Sequence, residues 1–503
     1  MRKLNIKDMK KSFLSVIVFM MTAVSALAGG ILTNTNQSVL FLKNPARDAA
    51  IGLDGVYSNP AGVVFMPEGF HLAINWQMAH QTRTITSTNP LFALGKKNDG
   101  KITKSFEGVA NAYMIPSVQA AYNKGDWSVQ FNFSMPGGGG VCEYSNGLGS
   151  FESAVGMISQ QLKAAGLGAE GYDVDAYMRG RQYYFGFQLG AAYKINEHWS
   201  VYGGLRALYG DASYKARLTN IQVKMRDAQG EPYYVNFDRF INNSIAGINK
   251  QLGQAELATS IGAMTPEALA AAQQKAEAGL LQLETLQKYS QGVNLMSIQT
   301  GFGLAPVIGV DYKVGSFNFA AKYEFNTQMK MKNHSTLEKA MEIEAVNKFQ
   351  DGTEVDEDAP ALLTVGAQWS VIPEVRLNLG YHHFYDKNAH WYNNSQDKLS
   401  HGTNEYLAGV EWDVSPRVNI SCGGQLTRYG LTDEYMNDMS FVVNSYSAGF
   451  GVSYKATDKI TLTAAYFQTN YSDYDRVTST EPKVSDSFTR TNRVVGLGMQ
   501  VDF

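Results

Sequence analysis

The chain has 503 residues, 44% of them hydrophobic and 12% aromatic, and a formal net charge of −3. That charge argues for neither nucleic acid nor a polyanionic partner, and two cysteines, Cys142 and Cys422, are too few for a disulfide-stapled secreted scaffold. Beyond a leader, about 475 residues would divide into several soluble domains unless one large barrel uses them all.

The first element is that leader. Arg2, Lys3, Lys7, Lys10 and Lys11 precede an apolar run, Phe13 to Met21, and Ala26-Leu27-Ala28 makes a small-x-small cleavage pattern before Gly29. Residues 1–28 read as a cleaved secretory signal peptide. The run is short for a membrane-spanning helix, which needs about 20 apolar residues. No later stretch is long and apolar enough to be one.

Residues 29–67 show no alternation and are rich in Asn, Gly and Ala, with Asn44-Pro45 and Asn59-Pro60-Ala61-Gly62. They are either a disordered periplasmic tail or a plug inside a barrel wide enough to hold one.

From residue 68 onward the period is two. Phe70, Leu72, Ile74, Trp76 and Met78 share one face, and Val495, Leu497, Met499, Val501 and Phe503 close the chain with the same pattern. Strict alternation is the β signal. It predicts strands over 69–86, 108–123, 126–135, 181–195, 198–217, 297–314, 316–331, 359–371, 374–387, 401–414, 417–430, 440–456, 459–475 and 487–503. Pro116 interrupts the second. Short turns, such as Asn123 to Asp126, Ile372-Pro373 and Ser415-Pro416, alternate with long polar connections, and aromatics cluster beside the short turns: Tyr122 with Trp127, Tyr193 with Trp199, Tyr312 with Phe317. Charges within strands fall on the face opposite the aromatics. This is the pattern of an all-β, antiparallel transmembrane barrel of about fourteen strands, with an aromatic belt and outer loops. It must close, because hydrocarbon tolerates no open sheet edge. Its surroundings would be outer-membrane lipid and lipopolysaccharide. Cys422 falls on an apolar strand face, which favours two free thiols.

The third strand runs into Pro136-Gly137-Gly138-Gly139-Gly140, where Pro and Gly break ladder pairing. This is either an opening in the wall or the start of a loop. The outer connections 136–180 and 218–296 carry helical periodicity. Over 150–165, with Ser150 as cap, Phe151, Ala154, Val155, Ile158 and Leu162 recur at helical spacing. Over 266–288, Thr265-Pro266-Glu267 starts a helix with a stripe of Leu269, Ala272, Ala276, Leu280 and Leu283. These helices either pack on one another as a cap, or expose Phe151, Val155, Ile158 and Leu162 as a capture surface for a hydrophobic ligand.

Against this background, the stretch Asp48 to Gly62 resembles the hatch signature of the outer-membrane long-chain fatty acid transporters, a family that includes importers of aromatic hydrocarbons. Together with the leader, the strand number and the terminal Phe503, the resemblance covers the mature chain. It implies a hatch in residues 29–67, its motif at Asn59, Pro60, Ala61 and Gly62, and a barrel over 68–503. It further implies capture of ligand at the outer loops, a pocket above the hatch, and a kink in strand three that opens the wall sideways. Pro60 fixes φ and Gly62 permits a tight turn. The long loops depart from the family pattern, and their ligand contacts do not carry over.

Other chemistry finds no support. His382 and His383 point to opposite faces of a strand and cannot share a metal with His390. No spacing identifies a catalytic set or a phosphate loop, so no enzyme, metal or cofactor is expected. Inward Lys322, Glu324, Arg376, Glu411 and Asp413 would hold the hatch or line the lumen, with Arg206 or Arg376 as a cation for a fatty acid carboxylate. The expected function is passive uptake of a long-chain fatty acid or another hydrophobic compound across the bacterial outer membrane. A polar-solute porin and a surface adhesive barrel are the alternatives.

Overall fold

The computed structural model describes residues 34–164, 167–290, 292–338, 348–478 and 483–503; the leader and residues 29–33 lie outside the described residues. Among the described residues, eighteen strand segments form one antiparallel sheet: β1 (Gly69–Thr88), β2 (Thr103–Lys124), β3 (Trp127–Tyr144), β4 (Gly171–Lys194), β5 (Trp199–Arg226), β6 (Pro232–Asn236), β7 (Val293–Val314), β8 (Phe317–Glu324), β9 (Lys330–Glu338), β10 (Glu354–Asp356), β11 (Leu362–Ile372), β12 (Val375–Phe384), β13 (Asn404–Ser415), β14 (Val418–Arg428), β15 (Ser445–Lys455), β16 (Ile460–Tyr471), β17 (Tyr474–Val477) and β18 (Ser485–Asp502). β8 and β9 both pair with β7, and β16 and β17 both pair with β18. The short β6 and β10 extend hairpins at the outer end. The wall is therefore a closed barrel of fourteen strands. β1 and β18 zip it shut from His71 opposite Asp502 to Thr88 opposite Ser485.

The alternation that predicted the strands marks only their membrane half. On β1 the outward residues Phe70, Ile74, Trp76 and Met78 are exposed apolar side chains. Above them the outward Thr82 bonds Thr491 across the seam at 2.6 Å, and Thr86 bonds Ser105 at 3.0 Å. The apolar band is about ten residues tall, the length a tilted strand needs to cross a bilayer. Beyond it the ladder continues in water, where neither face need be apolar, so the period-two signal fades while the hydrogen bonds persist. This is why several strands run further outward than the sequence indicates: β3 to Tyr144 rather than 135, β4 from Gly171 rather than 181, β5 to Arg226 rather than 217. Pro116 is accommodated in β2 because it pairs with Trp76 of β1 but has no partner in β3.

The connections 136–180 and 218–296 are correspondingly less loop than strand and helix. The first holds a helix over Gly149–Ala164 and the second holds helices over Phe237–Ser260 and Pro266–Ser290. The helix over Phe237–Ser260, capped by Asn236 accepting from the Arg239 amide, is not among the sequence expectations. Thr265 caps its successor by accepting from the Ala268 amide at 3.3 Å. Ser150 is not a cap. It lies inside its helix, and its amide donates to Asp438 from another loop at 2.8 Å. Both cysteines are free, and Cys422 is exposed on the outer face.

The lipid face yields a first prediction. Leu497 is outward and exposed between Val495 and Met499. Leu497→Arg should lower the stability of the bilayer-reconstituted barrel by about 2–4 kcal/mol, whereas Thr491→Arg, above the band, should cost under about 1 kcal/mol. Urea unfolding in lipid vesicles measures both, and equal losses would contradict the assignment of the membrane band.

Candidate functional site: the plugged lumen

Residues 34–67 lie inside the barrel. They contain helix α1 (Val39–Lys43), started by Ser38 accepting from the Leu40 amide, helix α2 (Gly55–Ser58), and a 3-10 turn over Gly62–Phe65. Two devices seat them.

The first is steric. Glycines on the inner face of several wall strands leave room for the plug. A Cβ on Gly366 would stand 2.6 Å from the Ala49 nitrogen, one on Gly423 2.7 Å from Pro45, one on Gly451 2.8 Å from Lys43, and one on Gly496 2.6 Å from Leu42. Non-bonded atoms do not approach this closely, so a side chain at any of these positions would force the plug to shift, most of all at Gly366, where the neighbour is backbone.

The second is electrostatic. Buried Arg47 binds Asp54 at 2.7 Å and also Glu411 of β13. Asp48 meets His382 at 2.9 Å, and His382 meets Glu405 at 2.8 Å. Lys43 donates to Asn419 and Ser453. Burial is the main cause that pushes its ammonium down to about 8, with Glu411 opposing and Arg47 and Arg376 adding to it. Burial also works against charge on Arg47, yet Asp54 and Glu411 outweigh it and raise its affinity for the proton.

The motif residues lie at the far end of this path. Asn59 donates to Asp311 at 2.7 Å and its side-chain oxygen accepts from the Gly62 amide at 3.2 Å. The Pro60 carbonyl accepts from Gln130 at 2.8 Å and the Ala61 carbonyl from Ser200 at 2.7 Å. The role expected of Gly62 needs correcting: it does not take a positive φ. A Cβ there would collide with Asn59 and stand 2.9 Å from Asp311, so glycine is required for space and not for a turn.

The third strand carries a break. Its pairing with β2 stops at Ala110–Cys142 and resumes only at Val118–Phe133. Its pairing with β4 slips twice, on either side of Gly137, and Gly138 and Gly140 take φ of 101° and 73°. The strand does not end here, so this is an unpaired stretch of wall and not the start of a loop. The plug fills it from within. The Asn34 amide donates to the Pro136 carbonyl at 2.9 Å, and Gln37 both accepts from the Met135 amide at 3.0 Å and donates to its carbonyl at 3.3 Å. On the outer face Tyr113 and Met114 are about 70% exposed beside the break.

Above the plug lies a cavity lined by Asn34, Tyr57, Gly137, Tyr184, Leu208 and Phe384, with Arg206 and Glu324 in its wall. Its volume is about 50 Å³, well below that of a small-molecule site, so a solute would have to enlarge it by moving the seal or the plug. Above that, the outer strand ends and loops close the lumen with an apolar cluster in which Met178, Met329, Met331, Met436 and Met439 pack among Phe106, Tyr144, Phe441 and Phe488. Methionine is flexible and polarizable, so such a seal can repack around a passing apolar solute. Within these loops, burial pushes Asp386 and Asp438 up to about 6, against hydrogen bonds from Thr403 and Ser150 respectively.

The other expected site residues divide. Arg206 does reach the cavity, but it is ion-paired with Glu324, which also holds Lys322 at 2.6 Å. Arg376 does not: it lies beside the short turn 372–375, bound to Glu411 at 3.2 Å and Asp413 at 2.6 Å. Its proposed role as a carboxylate partner is replaced by that of a brace for the acid that holds Arg47. Phe151, Val155, Ile158 and Leu162 are at most 5% exposed. Phe151 joins the outer cluster, and the other three pack under Phe237, Ile241, Leu283 and Leu286 of the helical hairpin. In this conformation they form a packed cap and not an open capture surface, because the hairpin covers them. His382, His383 and His390 bond separate partners, Asp48, Asn404 and Asp358. Sequence reasoning missed the methionine seal, whose methionines are scattered over β4, β9 and the connections before β9 and after β14, and the glycines that seat the plug, which look like ordinary inward small residues.

No family model matches the chain, and no curated protein matches its sequence. Its fold does match solved structures. A FadL homologue from Pseudomonas aeruginosa superposes with a TM-score of 0.61 at 10% identity, over 95% of this chain and 100% of that one. The toluene transporter TodX of P. putida gives 0.52 at 11% identity, over 90% and 94%. The toluene transporter TbuX of Ralstonia pickettii gives 0.50 at 13%, over 93% and 98%. The chain has the fold of these barrels along nearly all of its length and theirs.

Proposed function

We propose that this chain is an outer-membrane channel for passive uptake of hydrophobic compounds, long-chain fatty acids among them, and that residues 34–67 act as its hatch. The observation that carries this reading is the vertical order inside the barrel: an adaptable methionine-rich seal, a cavity, and a plug whose first residues fill a break in the wall. A general porin would keep a water-filled lumen; here packed side chains cross it twice. The shared fold with a FadL homologue and with toluene transporters supports the same reading. Solute would leave sideways at the break between β2 and β3, the place the family resemblance implies.

The test is uptake of labelled oleate and toluene by cells carrying the chain, against cells carrying it without Asn59-Pro60-Ala61, at equal surface expression. Uptake above the empty control that falls on deletion supports the hatch-gated channel. Uptake unchanged by the deletion rules out gating by this motif, and no uptake of either solute rules out the function.

A further inference from the structure

The lipid-facing side of β4 and β5 changes character at one height. From Trp199 to Tyr209 the outward positions of β5 are Trp199, Val201, Gly203, Leu205, Ala207 and Tyr209, the length a tilted strand needs to cross a bilayer. The next outward positions are Asp211, Ser213, Lys215 and Arg217. On β4 they stand opposite Tyr183, Arg181, Arg179 and Tyr177 in register. Two neighbouring strands thus present Arg179, Arg181, Lys215 and Arg217 directly above the apolar band.

These cations are poorly neutralised. Arg181 donates to both oxygens of Asp211, at 2.6 and 2.7 Å. Arg179 comes only within 4.0 Å of Glu143 on β3. Among the described residues Lys215 and Arg217 make no ion pair, and Arg217 lies over the Tyr177 ring at 4.8 Å. On their other side they meet Met296 and Asn294 of β7, not acids. Lys215 is directly opposite Arg179, and like charges so placed are destabilising. Other sectors differ at this height. The outward positions are Thr82, Thr84 and Thr86 on β1, and Gln468 and Asn470 on β16. Lys330 and Lys332 of β9 face Asp356 and Glu354 of β10. Arg493 of β18 stands alone between His80 and Gln468. Solvation of the outer rim would not gather unpaired cations on one sector.

What fits the cluster must also fit what lies beneath it. Phe187 and Leu189 of β4, Leu205 of β5, and Phe302 and Leu304 of β7 are exposed apolar side chains. The partner therefore carries anionic oxygens at one level and acyl chains below. From the Arg181–Ser213 rung to the Tyr177–Arg217 rung the cations extend about 14 Å along the strands. A single phosphodiester head reaches one or two of them. A head with sugar between two phosphates reaches them all, and arginine forks match phosphate oxygens in pairs.

We propose that Arg179, Arg181, Lys215 and Arg217 bind the phosphorylated disaccharide of an outer-leaflet glycolipid of the lipid A type, whose acyl chains lie on the apolar face below. The inference rests on the outer-membrane placement in the proposed function and not on uptake.

Binding to the full-length barrel in detergent micelles tests it, with diphosphoryl lipid A, lipid A stripped of its phosphates, phosphatidylglycerol and inorganic phosphate as probes. R179Q/K215Q/R217Q should lose about tenfold or more in affinity for diphosphoryl lipid A. R493Q should lose less than about twofold, and R179K/K215R/R217K should keep most of the affinity. The stripped lipid should bind the wild type and the Gln variant alike. A loss no greater than that of R493Q, or an equal loss for the stripped lipid, overturns the proposal. So does phosphatidylglycerol that binds the wild type as tightly as lipid A, because the patch would then serve any anionic lipid. Displacement of lipid A by millimolar inorganic phosphate overturns it too, by making the patch a free-anion site. Uptake of oleate or toluene without cation-dependent lipid A binding would remove this site alone; such binding without uptake would remove the uptake reading alone.

Discussion

Gly366→Leu should unseat the plug and leave the barrel standing. The new side chain would begin 2.6 Å from the Ala49 nitrogen and 2.7 Å from the Asp48 carbonyl carbon. Both are backbone atoms, which cannot swing aside as a side-chain tip can. Overpacking of this kind costs about 1–3 kcal/mol, roughly a 5–150-fold shift between seated and displaced plug. The strain falls on the plug because the wall is fixed by ladders on both sides: Gly366 pairs with Gly380 of β12 and Ala320 of β8. The expected result is a rise in ion conductance across planar bilayers, and faster proteolysis of residues 34–67 from the periplasmic side. Heat-modifiable mobility and the urea midpoint of the barrel should not change. A variant that stays closed would show that this glycine does not position the plug. Gly125→Leu, in the turn outside the wall with no atom near its Cβ position, controls for the substitution; its φ of 58° makes it locally strained, so it should disturb the turn alone.

Arg47→Ala should act on the same equilibrium by a different force. The guanidinium is buried between Asp54, within the plug, and Glu411, on the wall. Removing it takes a partner from both acids. Losing one partner of a buried pair typically costs about 3–5 kcal/mol, more than the pair itself contributes. Arg376 keeps hold of Glu411 at 3.2 Å, so the unpaired charge is chiefly that of Asp54. Asp54→Asn in the Arg47→Ala background should therefore recover much of the loss, and conductance across the double-mutant cycle measures it. If Arg47→Ala leaves the lumen closed, or if the double variant is the sum of the singles, the pair does not lock the plug. Neutral substitution of Arg376 should be milder, because Glu411 would retain Arg47.

The sequence by itself determined the wall. The apolar face of each strand must meet lipid and the ladder must close, so alternation in stretches such as 69–78 and 495–503 specified strand number, orientation and the side of the short turns. It also carried the plug motif, since Asn59-Pro60-Ala61-Gly62 is contiguous and resembles a known signature. It lost the outer halves of β3, β4 and β5, because outside the bilayer no rule forces one face to be apolar. Tertiary structure alone decided everything assembled from distant positions across the lumen. Gly366, Gly423, Gly451 and Gly496 become a seat for the plug only when closure of the barrel turns their strands toward one lumen. Arg376 and Glu411 become a brace, and Arg206 a paired cation, only when register sets their partners. Phe151 and Leu162 turn from a candidate surface into a packed cap only when a second connection folds over them. A period along the chain reports which face a residue takes. What that residue meets on the inner face is fixed by closure of the barrel, which brings together residues hundreds of positions apart.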